Sequence, residues 1–76
     1  MANRIGVLKQ KIDMYENTLT DAELDGMVSL AIGNKQGVEA SEKRVKEVMT
    51  ALSFLKTVLD KWTEEDLNDK PTEPGV

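Results

Sequence analysis

The longest regular pattern in the chain runs from Val38 to Trp62. Val38, Val45, Val48, Leu52, Leu55, Leu59 and Trp62 recur at steps of three and four, with Ser41 the one polar member of the series. Such steps place side chains on one side of an α-helix. Counted in heptads from Val38 as position a, the a positions are Val38, Val45, Leu52 and Leu59, and the d positions are Ser41, Val48, Leu55 and Trp62. A two-stranded zipper carries charges at e and g. Here those positions hold Met49, Ala51 and Val58 beside Glu42, Arg44, Lys56 and Thr63. The apolar face is wider than a seam and suits a helix with two or more neighbours. No Pro or Gly falls between Val38 and Asp69.

The first half of the chain carries two stripes. Asn3 can cap a helix on which Ile5, Leu8, Ile12, Tyr15 and Leu19 share a face. Beyond Leu19 the apolar set becomes Leu24, Met27, Val28 and Ala31, with Leu30 and Ile32 beside it. Extending the first register would instead bring Ala22, Gly26 and Ser29 onto the face. Thr20-Asp21-Ala22-Glu23 has the form of a capping box, with Leu19 and Leu24 placed as its hydrophobic staple. A helix start is therefore expected at Thr20. The alternative is one bent helix from Arg4 to Ile32, antiparallel to the last. Gly33 is a good left-handed helix stop, and Asn34 can cap the next helix. After Trp62 the acids Glu64, Glu65 and Asp66 oppose the helix dipole, so this end is expected to fray.

The pattern predicts an all-α fold: a two- or three-helix up-down arrangement, a helical hairpin with a bent or broken first arm. Helices are expected at about 4–18, 21–32 and 36–67 in one domain, 1–68. Residues 69–76, with Pro71, Pro74 and Gly75, read as a disordered acidic tail.

Length makes self-association part of this expectation. A chain of 76 residues buries only about 60% of its unfolded surface, so a single core is marginal. Without Cys or His, disulfides and the usual zinc ligands are not at hand. Completion as a dimeric helical bundle is the expected remedy. The net charge of −4 gives no basic nucleic-acid footprint, and direct nucleic-acid binding is not expected. No apolar run approaches the ~20 residues of a membrane span, and the first residues lack a signal-peptide core. The default location is the cytoplasm. Charge alternates along the chain: Arg4, Lys9 and Lys11 precede Asp13, Glu16, Asp21, Glu23 and Asp25. Ends of opposite sign could align protomers in an antiparallel assembly.

Candidate chemistry is thin. Asp21 to Gly26 resembles the opening of an EF-hand calcium loop, but Glu23 replaces the usual Asp or Asn and Ile32 stands where a bidentate Glu is needed. The stretch reads instead as an acidic helical turn. Gly33-x-x-x-Gly37 with Lys35, Lys43, Arg44 and Lys46 lacks the Walker spacing, and reads as a turn followed by a basic face. Ser29, Ser41 and Ser53 have no His to activate them, and paired acids such as Asp21 and Asp25 fall on polar faces. Neither an enzyme nor a cofactor is expected.

The expected function is that of a small acidic non-enzymatic protein that self-associates and binds a protein partner as a regulator, adaptor or inhibitor. Partner contact is assigned to Phe54, Trp62, Leu55, Lys35 and Arg44; Phe54 sits at position c, off the main stripe, and aromatic anchors dominate interfaces. Two alternatives stand beside this reading. One is an acidic nucleic-acid mimic that blocks a DNA- or RNA-binding protein. The other is an oligomer holding a small anionic or phosphorylated ligand near Lys35, Arg44 or Arg4. The size and acidity would also suit an accessory protein of a phage or mobile element.

Overall fold

The computed structural model describes residues 3–72, with side chains as far as Leu67. They form two long α-helices, α1 (Arg4–Ala31) and α2 (Lys35–Thr72), joined by Ile32-Gly33-Asn34 into an antiparallel hairpin. Its Cα extents are 66 × 19 × 11 Å. The shortest is about the width of one helix, so the hairpin is a single layer with two broad uncovered faces.

The ends of the helices follow from local chemistry. The Asn3 side chain accepts hydrogen bonds from the Ile5 and Gly6 N–H groups at 3.0 and 3.2 Å, capping α1. At the other end, Gly33 takes φ +75°. Its N–H donates to the Leu30 carbonyl, and the Asn34 N–H donates to the Ser29 carbonyl at 2.8 Å. That pair of bonds is a Schellman stop. Asn34 also starts α2, its Oδ1 accepting from the Gly37 N–H at 3.0 Å.

The expected helix start at Thr20 is not present: α1 is continuous from Arg4 to Ala31. The Thr20 hydroxyl donates to the Glu16 carbonyl at 3.2 Å, an interior helical bond. The first register carries on through Ala22, which is buried, and Gly26 and Ser29, which are half-buried. Leu24, Met27, Val28, Leu30 and Ile32 are left more than half exposed. The reason is steric. A three-residue connection forces the two backbones together near the turn, and only small side chains fit there. A Cβ placed on Gly26 would lie 3.2 Å from the Ser41 Cβ.

Away from the turn the seam widens. Leu8, Ile12, Val48 and Leu52 form the buried cluster, with Tyr15, Leu19, Leu55, Val58, Leu59 and Trp62 packed round it. α2 extends to Thr72, past the expected end near residue 67, so residues 69–72 of the expected tail are helical. The rest of that tail, 73–76, lies outside the described residues. Arg4 reaches across to the acidic end of α2, donating to Glu65 and Asp66 at 3.0 Å each. It also sits 4.6 Å from the centre of the Trp62 ring. Among the described residues no helix is long and apolar enough to cross a membrane.

Candidate interaction surface

An antiparallel pair has two sides, because g positions of one helix face g positions of the other, and e faces e. The ion contacts locate these sides. Lys56 and Glu16, 3.7 Å apart, lie on the e side. Arg4 and Glu65 lie on the g side.

On the g side, nearer the open end, Trp62 and Leu55 floor an apolar hollow of about 420 Å³, edged by Val7, Lys11 and Arg4. A second hollow on that side brings Met14 beside Arg44 and Glu47. Val7, Met14 and Phe54 are all exposed here, Phe54 to 67%. On the e side, nearer the turn, Met27, Leu30, Val38 and Val45 line an open groove of about 630 Å³.

The five residues assigned to partner contact divide accordingly. By heptad position Phe54, Arg44, Leu55 and Trp62 belong to the g side of the hairpin. Phe54 and Arg44 are exposed on it, whereas Leu55 and Trp62 are half-buried supports of the core. Lys35 lies apart, as the first residue of α2 next to the turn. Lys35 and Arg4 are therefore near opposite ends of the long axis, and the structure does not gather Arg4, Arg44 and Lys35 round one point. Arg4 is engaged by Glu65 and Asp66, whose hydrogen bonds and charges raise its pKa, the Glu65 hydrogen bond being the largest cause.

No protein family, curated protein or solved structure matches this chain.

The acids of α1 are exposed and spread round the helix. Asp13, Glu16, Asp21, Glu23 and Asp25 fall at heptad positions b, e, c, e and g when Ile5 is a, so they do not form one phosphate-like row. The Asp21–Gly26 stretch is helical, which turns its carboxylates outward in different directions rather than round a common point. Among the described residues no group of three or more acids is placed to hold a metal ion. Val7 and Met14 lie off the stripe of Ile5, Leu8, Ile12, Tyr15 and Leu19, and their shared c position on α1 is the sequence signal that puts them on one side, the side of Phe54.

Proposed function

We propose that this chain is a small non-enzymatic helical protein that self-associates and binds a protein partner as a regulator, adaptor or inhibitor, acting in the cytoplasm. The observation that supports this reading is the apolar surface of a one-layer hairpin. Large apolar side chains on both faces and near the turn are 52% exposed at Leu24 and up to 72% exposed at Leu30. Scattered exposed apolar residues are ordinary, but continuous apolar surface on a small protein marks an interaction site. Among the described residues no third element covers it. With no Cys and no His, and with the acids among the described side chains exposed, the chain is better equipped for contact than for bond chemistry.

Light scattering across a concentration series tests the first half of the proposal. The expected result is a mass of at least twice the 8.5 kDa of the chain. A single-chain mass at high concentration counts against it. The second half is tested by crosslinking and capture from host extract, compared between the wild type and a Leu30→Glu variant. Capture that the substitution leaves unchanged argues against the turn-end groove as the partner's seat.

A further inference from the structure

The outer side of α2 carries a second heptad stripe. Arg44, Glu47, Ala51, Phe54, Val58, Lys61 and Glu65 follow at steps of three and four. Each of them but Glu65 precedes a member of the hairpin stripe by one residue, which is about 100° round the helix. Arg44, Glu47, Phe54, Lys61 and Glu65 are exposed, and Ala51 and Val58 are half-buried. The stripe is apolar at its centre and charged at both ends.

The charges are arranged about Phe54. Glu47 stands seven residues before it and Lys61 seven after. Arg44 stands ten before and Glu65 eleven after. Phe54 is also the midpoint of α2, with nineteen helical residues on one side and eighteen on the other.

We propose that two copies of the chain pack through this stripe as an antiparallel, two-fold symmetric dimer, with Phe54 at the axis. This rests on the self-association proposed above and specifies its geometry. In that arrangement Glu47 meets Lys61 of the second copy, and Lys61 meets its Glu47. Arg44 falls opposite Glu65, which Arg4 already contacts within its own chain. Ala51 meets Val58, and Phe54 packs on its twin. A two-fold contact must be self-complementary, and the stripe meets that condition in this register. Parallel packing would set Glu47 on Glu47 and Lys61 on Lys61. Sliding the antiparallel register by one heptad would press Glu47 against Phe54.

The first helix agrees with this choice. Val7 and Met14 lie on the same side and would be covered by the second copy. End-for-end stacking also lays the basic start of α1, Arg4 and Lys11, over the acidic half of the partner copy's α1, which carries Asp21 and Asp25. Because Phe54 is central, the two hairpins overlap along their length. A face with Cα extents of 66 by 19 Å is ample for the ~800 Å² per partner that stable dimers bury.

Charge reversal tests the register. Glu47→Lys alone and Lys61→Glu alone each place like charges opposite one another twice per dimer, and each should weaken dimerisation by roughly tenfold or more. Mixing the two variants should restore a dimer, because each supplies what the other lacks, and the double variant should pair with itself. The two single variants, their mixture and the double variant are compared with the wild type by sedimentation equilibrium, with helix content by circular dichroism as the control for folding. The chain has no Cys, so Phe54→Cys provides a second readout. It should oxidise to a disulfide dimer much faster than Leu30→Cys. If the wild type dimerises while the single reversals bind as well as it does, or Phe54→Cys crosslinks no faster than Leu30→Cys, this geometry is wrong and self-association stands. A monomeric wild type overturns both.

Discussion

Gly26 of α1 lies directly against Ser41 of α2, so close that a Cβ on the glycine would come within 3.2 Å of the serine Cβ. This is the narrow end of the seam, and it limits what the site accepts. Gly26→Ala gains about 1 kcal/mol of helix propensity but forces the serine outward, so the net change should be small. In a Ser41→Gly background the same substitution has room and should stabilise by most of that ~1 kcal/mol. A double-mutant cycle by urea unfolding measures the difference. Gly26→Leu overfills the contact in either background and should cost about 1–3 kcal/mol.

Gly33 presents the opposite case. It has open space around it, with nothing within 4 Å of a built Cβ, but its φ is +75°. Gly33→Ala should therefore cost about 1–2 kcal/mol through backbone conformation alone, and Gly33→Asn less, because Asn tolerates the left-handed region. The ranking Gly, Asn, Ala in thermal melts would locate the cost in the backbone rather than in packing.

Asn34 serves both helices, and its side chain accepts the Gly37 N–H at 3.0 Å. Asn34→Ala removes this cap and should cost about 0.5–2 kcal/mol. Asn34→Asp or Asn34→Ser should recover most of it. Urea midpoints of the three variants make the comparison.

The hairpin was legible in the sequence where large apolar residues recur at heptad spacing on both arms and where caps are local. Ile5 to Leu19, Val45 to Trp62, Asn3, Gly33 and Asn34 all do what their neighbours in sequence imply. The second half of α1 was not legible by hydrophobicity. There Leu24, Met27 and Val28 outscore Ala22, Gly26 and Ser29, yet the small residues hold the seam because the short connection selects for size. Arg4 and Glu65, sixty-one positions apart, meet only because the hairpin closes in this register, so no local pattern announces them. Phe54 stood out as off the main stripe, and the charge symmetry about it acquires meaning once both faces of α2 are known.

Exposure then predicts unequal responses from leucines that look alike in composition. Leu52 is 6% exposed in the buried cluster and Leu30 is 72% exposed. Leu52→Ala should cost about 2–5 kcal/mol, a large share of the total stability of so small a domain. Leu30→Ala should stay within about 0.5 kcal/mol. Chemical denaturation of both at one protein concentration checks the contrast, and equal losses would mean that Leu24, Met27 and Leu30 are packed in solution.

Thr20 gives the sharpest test of the continuous first helix, because two structures demand opposite signs. As an N-cap, Thr20→Ala would cost about 0.5–2 kcal/mol. In the interior of α1 its hydroxyl bonds back to Glu16, an arrangement that does not help a helix, and Ala is the better helix former by up to about 0.7 kcal/mol. The substitution should therefore raise the melting temperature by up to about 3–6 °C, on the scale of 4–8 °C per kcal/mol for a domain of this size. Glu23→Ala should leave it nearly unchanged, since Glu23 has no cap to complete. A drop in the melting temperature for both variants would place a helix boundary at Thr20 and detach the seam through Ala22 and Gly26.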